Sequence, residues 1–176
     1  MIILGIDPGT ATTGFGVIRV ADDLIGREFD YDLELVSYGN ISTPKEMPME
    51  HRLLMLHTEL NGVIEKFKPD CMSIEMLFFG ANTRTAIAVG QARGVILLSA
   101  AKYDIPYSEY TGPSVKLMVA GGGRADKKEV TESVRKWFGT NGKKRRKFVV
   151  PKGGHLDDAT DALAIAICHM LKTAAK

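Results

Sequence analysis

Three strand-like runs, Ile2 to Asp7, Thr13 to Val20 and Leu35 to Ile41, follow one another with no helical pattern between them. A short turn rich in Gly, Pro and Thr joins the first two, which reads as a hairpin. Strands this close along the chain pair antiparallel, because a parallel pair needs a crossover of about a dozen residues or more. The pattern then changes. From Met49 to Lys66 the apolar residues Leu53, Leu54, Leu56, Leu60, Val63, Ile64 and Phe67 recur at helical spacing, and Pro69 closes that helix. Cys71 to Glu75 is a fourth strand, Leu77 to Asn82 a loop, Thr83 to Lys102 a helix, and Pro106 to Tyr110 a short fifth strand. Thr111-Gly112-Pro113 opens another helix, with proline where its missing donor does no harm. Gly121-Gly122-Gly123 breaks that helix. Asp126 and Glu129 form a capping box for a helix ending near Phe138, and a last helix runs from Asp157 to Lys172. This order predicts one α/β domain over residues 1–176: a mixed five-stranded sheet, its first three strands antiparallel, with helices on both faces.

Four carboxylates stand in apolar settings. Asp7 ends the first strand, Glu75 ends the fourth, and Asp158 and Asp161 open the last helix. A carboxylate at the mouth of a buried strand loses hydration unless a cation or metal compensates. No basic residue sits beside these acids in sequence, so oxygen ligation of a hard divalent cation is indicated. Asp158 and Asp161, three residues apart on a helix, share a face. If the strands of Asp7 and Glu75 are neighbours, the four could hold two divalent cations about 4 Å apart, an arrangement used for phosphodiester hydrolysis. Each acid alone has a plainer reading. Asp7 before Pro8-Gly9 suits a turn, Glu75 suits a solvated strand end, and the helix pair suits an N-cap with a dipole partner. The constellation favours the metal centre. His155 lies near the helix acids as a ligand or base, although its Gly-Gly lead-in suits an exposed histidine.

The net charge of +2 excludes nothing, but its distribution matters. Lys143-Lys144-Arg145-Arg146-Lys147 is an unbroken basic run, read either as a solvated loop or as a phosphate-contacting arm. No apolar stretch approaches a membrane span, and the start lacks a signal-peptide pattern. Cys71 and Cys168 lie in apolar runs without metal-ligand spacing, as reduced thiols of a cytoplasmic protein would.

Five segments together carry a resemblance: Ile3-Leu4-Gly5-Ile6-Asp7-Pro8-Gly9-Thr10, Ile74-Glu75, Val89-Gly90-Gln91-Ala92-Arg93-Gly94-Val95, Gly123-Arg124-Ala125-Asp126-Lys127, and Asp158 through Ala166. In this order they resemble the RuvC family of bacterial Holliday junction resolvases nearly end to end. The resemblance implies an RNase H-like fold, a homodimer, and Mg²⁺-dependent paired nicking of four-way DNA junctions. Two Mg²⁺ per active site are expected, with Mn²⁺ as a substitute. Asp7, Glu75, Asp158 and Asp161 fall on the family's acidic tetrad. Phe78, and beside it Phe79, fall where the family stacks an aromatic on unpaired bases. Lys116 and Lys127 match basic residues facing the scissile strand, or are ordinary surface lysines. Arg84, Arg93 and Arg124 are candidate phosphate contacts, with an interface ion pair an equal reading for Arg93. A branch-migration motor is left open as a partner. The link from Gly139 to Gly154, which holds the basic run, is longer and more basic than the family's.

Three rivals make different predictions. A phosphotransferase of the actin and sugar-kinase superfamily shares the strand-Asp-Gly-Thr start but needs two such domains. A junction-binding module would bind without cutting. A flap or fork endonuclease would share the centre and differ in substrate.

Overall fold

The structure, a computed structural model, describes residues 1–21, 33–76, 83–139 and 157–174. Its strands are β1 (Ile2–Asp7), β2 (Thr12–Val20), β3 (Leu33–Ser42), β4 (Cys71–Glu75) and β5 (Tyr107–Tyr110). Its helices are α1 (Met49–Phe67), α2 (Thr83–Lys102), α3 (Gly112–Ala120), α4 (Lys127–Gly139) and α5 (Asp157–Ala174). The sheet order is β3-β2-β1-β4-β5. β1 to β3 pair antiparallel, whereas β4 pairs parallel to both β1 and β5. This is the mixed sheet the strand spacing predicts.

Alternation along the strands sends side chains into two cores. Leu4, Ile6, Met72 and Ile74 pack against α1 and α2 on one face. Ile3, Ile18 and Leu35 pack against α3, α4 and α5 on the other. α5 carries eleven buried residues, from Ala159 to Met170. Two strand glycines let it come this close. A Cβ on Gly5 would collide with the Ala162 carbonyl oxygen, and one on Gly14 with the Asp158 carbonyl oxygen. The distance from sheet to α5 is therefore set by backbone meeting backbone. Among the described residues, no helix is long and apolar enough to cross a membrane.

Helix ends follow their local chemistry. α1 stops at Lys68, which takes the left-handed conformation at φ 48° one residue before Pro69. Thr111 caps α3, its hydroxyl oxygen accepting from the Ser114 N–H at 3.3 Å. The capping box before α4 forms in both directions: Glu129 N–H donates to Asp126 and Asp126 N–H donates to Glu129, each at 2.8 Å.

Candidate active site

Asp7 and Glu75 lie at the carboxyl ends of neighbouring parallel strands, one step beyond the Ile6–Ile74 register pair. Each is an even number of residues from a residue on the α5 face, Ile3 and Cys71 respectively, so both carboxylates point to that face. The close approach of α5 then delivers Asp158 and Asp161 from its first turns. The four acids sense one another. Burial raises the Asp7 pKa from 3.8 to about 8, with the charges of Glu75, Asp161 and Asp158 adding to the shift. Burial raises Glu75 as well, helped by Asp161 and opposed by Lys116 and Lys127. Asp161 is also raised by burial, against the pull of Lys127. A Cβ on Gly112 would come within 2.8 Å of Glu75 Oε1, so the glycine opening α3 leaves room for that carboxylate beside the helix N-terminus.

Two predicted lysines join the acids. Lys127 Nζ lies 3.8 Å from Asp161 and 4.0 Å from Asp157. Lys116 and Lys127, with Glu75 and Asp161, line a cavity of about 200 Å³ whose apolar wall includes Val115 and Val130. Among the described residues, no three His, Cys, Asp or Glu side chains are drawn together at metal-chelating spacing. The chemistry of the donor set nevertheless suits a hard divalent cation: Asp7 is within electrostatic reach of Glu75, Asp158 and Asp161, and burial raises the proton affinity of Asp7, Glu75 and Asp161.

The other predicted contacts divide. Arg93, on α2, donates from Nε at 2.9 Å and Nη2 at 2.7 Å to Glu109 Oε1 of β5. That ion pair lies within the chain, on the face opposite the acids, because the half-buried Glu109 carboxylate requires a cation. Arg124 is exposed between α3 and α4, three residues before Lys127. Phe78, Phe79, Lys143, Lys144, Arg145, Arg146, Lys147 and His155 lie outside the described residues, as does the Arg84 side chain in the first turn of α2.

Some of the site's surroundings carry no local sequence signal. Arg52 and Thr43 hydrogen-bond the turn after Asp7. His169 sits between Tyr110, 2.7 Å away at Nδ1, and Cys71, 3.3 Å away at Nε2. Burial pushes the Cys71 and Cys168 thiols up to about 11, so neither is a ready nucleophile.

Residues 3–169 match the family model for the crossover junction endodeoxyribonuclease RuvC. The chain is 47% identical over 169 residues to the enzyme of that name from Chloroflexus aggregans, covering 96% of this chain and 92% of the relative. A counterpart from Desulfitobacterium hafniense is also 47% identical at the same coverage. Among solved structures, Thermus thermophilus RuvC in complex with a Holliday junction substrate superposes with a TM-score of 0.81 at 29% identity, covering 99% and 96% of the two chains. The mixed sheet and flanking helices are those of the RNase H-like fold.

Proposed function

Because the chain belongs to the RuvC family of crossover junction endodeoxyribonucleases, we propose that it resolves four-way DNA junctions by paired hydrolysis at the Asp7, Glu75, Asp158 and Asp161 centre. The observation that supports the site assignment is the electrostatic coupling of Asp7 to Glu75, Asp158 and Asp161, with Lys116 and Lys127 lining the cavity beside Glu75 and Asp161.

In this reading the four carboxylates would hold two Mg²⁺ ions, or Mn²⁺ in their place, whose chemistry would be to activate the attacking water and offset charge on the leaving oxygen. The chain's own residues do the rest. Partial burial of Asp7, Glu75 and Asp161 raises their preference for a bound cation or proton over bare charge. Lys116 and Lys127, on the cavity wall, draw the scissile phosphate toward the acids. Cleavage leaves a 5′-phosphate and a 3′-hydroxyl. Arg124 and the basic run at 143–147 contribute phosphate contacts, so binding weakens steeply with salt. Phe78, with Phe79 beside it, stacks on unpaired bases at the branch. Branch specificity comes from the shape and deformability of the DNA.

Paired nicks on a two-fold junction require two active sites, hence a homodimer. α2 offers a fitting face: Ile87 is 74% exposed and Leu98 59%, with exposed Gln91 and Gly94 between them at helical spacing. Ile87→Asp should shift the protein toward monomer in sedimentation, and an unchanged mass would remove α2 from the interface.

The decisive test is cleavage of a synthetic four-way junction in Mg²⁺ by wild type and Asp7→Asn. Paired symmetric nicks lost on substitution, with junction binding retained, are expected. Preferential cutting of flaps or forks would change the substrate and keep the centre. Tight binding by both proteins with no cutting in any metal would overturn the catalytic reading.

A further inference from the structure

Asp7 is the last residue of β1, so the turn that follows sets where its carboxylate sits. We infer that Arg52, in the first turn of α1, is a positioning residue for the acidic centre and acts through that turn's backbone. The inference rests on the nuclease reading above. Arg52 Nη2 donates to the Thr10 carbonyl at 2.8 Å, and Arg52 Nε donates to Thr43 Oγ1 at 3.0 Å. The Thr43 hydroxyl in turn donates to the same Thr10 carbonyl at 2.5 Å. These three groups close a ring. Two further bonds clamp the flanking peptides: Thr43 N–H donates to the Ala11 carbonyl at 3.0 Å, and the Thr13 hydroxyl to the Gly9 carbonyl at 2.6 Å. Every carbonyl from Gly9 to Ala11 is thereby fixed by a donor.

The choice of arginine has a physical reason. The guanidinium fork presents Nε and Nη2 in one plane, so one side chain reaches a carbonyl and a hydroxyl with fixed relative geometry. Among the described residues no carboxylate pairs with Arg52, and its two hydrogen bonds both serve this ring. Thr43 is 6% exposed, and bonds this sheltered hold their geometry better than surface ones. β3, α1 and the β1–β2 turn are thus tied at one point, three residues beyond Asp7. A turn left free to rock would move Asp7 relative to Asp158 and Asp161, which are held separately on α5.

The test uses the full chain with Arg52→Met, Arg52→Lys and Thr43→Val. Four quantities are read: single-turnover junction cleavage at saturating enzyme, junction Kd, melting temperature, and hydrogen exchange of the Thr43 amide. Arg52→Met should slow cleavage about 10- to 100-fold, the range for residues that orient metal ligands, while Kd and melting temperature change little. The Thr43 amide should exchange faster. Arg52→Lys should recover part of the rate, because an ammonium can make one of the two bonds. Thr43→Val should also slow cleavage, and the double variant should lose less than the product of the single losses. An unchanged rate in Arg52→Met, despite faster exchange, would overturn the inference. So would a loss matched by weaker Kd, which would make Arg52 a phosphate contact. Should Arg52→Met unfold, Thr43→Val decides: normal cleavage by that variant would also overturn it. Wild type that cuts no junction sinks the nuclease reading instead, and Thr43 exchange still reports whether the brace exists.

Discussion

Replacing Asp7 with asparagine should stabilise the metal-free protein while abolishing its activity. In the folded chain the Asp7 carboxyl has its pKa raised to about 8, against 3.8 for a free aspartate, first by burial and then by Glu75, Asp161 and Asp158. Between those values the native state keeps a proton that the unfolded state releases. The contribution of Asp7 to stability therefore falls as pH rises from about 4 to about 8 and is constant outside that window. At about 1.4 kcal/mol per pH unit, the interval from 3.8 to pH 7 amounts to a penalty on the order of 4 kcal/mol. Asparagine has nothing to ionise and escapes it. Urea unfolding in chelator should show Asp7→Asn more stable by roughly 4 kcal/mol at pH 7 and by less than about 2 kcal/mol at pH 5. For a domain of this size the pH 7 gap corresponds to roughly 10 °C in Tm. Added Mg²⁺ should stabilise wild type more than the variant and narrow the gap. A gap of equal size at both pH values would refute the argument, because only titration of Asp7 makes it pH-dependent. So would a less stable variant.

The backbone contact between β2 and α5 makes a second prediction. Gly14→Ala places a Cβ on the Asp158 carbonyl and 2.9 Å from Ala159 N, so α5 must move outward. A shift on the order of 1 Å should cost about 1–3 kcal/mol and slow cleavage roughly 100-fold, read by urea melts and single-turnover rates. Gly62→Ala, at an exposed position of α1 with nothing near the new Cβ, is the control and should be neutral or slightly stabilising. Arg93→Met should destabilise by about 1–3 kcal/mol because Glu109 loses its partner, yet leave the salt slope of junction binding unchanged. A slope reduced by about one would place Arg93 on a phosphate instead.

Most elements were legible because each has a local cause. The α2 boundaries, Thr83 to Lys102, and the β4 boundaries, Cys71 to Glu75, follow from period and flanking breakers. Both bonds of the Asp126–Glu129 box form as the spacing implies. The acids were legible too, since strand ends and an i, i+3 helix pair constrain where carboxylates can go. Periodicity overreached at Leu54. It belongs to the apolar pattern of α1 but is 61% exposed, because the stripe is wider than the strip the sheet can cover. What sequence hid is what tertiary register decides. Nothing near Arg93 announces Glu109, sixteen residues on and in another element. Nothing near Thr10 announces Thr43 or Arg52. The glycines at positions 5 and 14 looked like ordinary strand residues until a helix backbone was laid across them.

The positions of the acids along the chain bear on how the protein is made. Asp7 lies in the first strand, and Asp158 and Asp161 lie in the last helix. A ribosome adds roughly 5–20 residues per second, so many seconds separate the two ends of the centre. Throughout that interval the face of β1 and β2 that α5 will cover stays bare, an apolar surface for chaperones or for mispairing. In the nuclease reading proposed above, the acidic centre is complete only when α5 closes over the first hairpin, so a chain interrupted before α5 should show no junction cleavage.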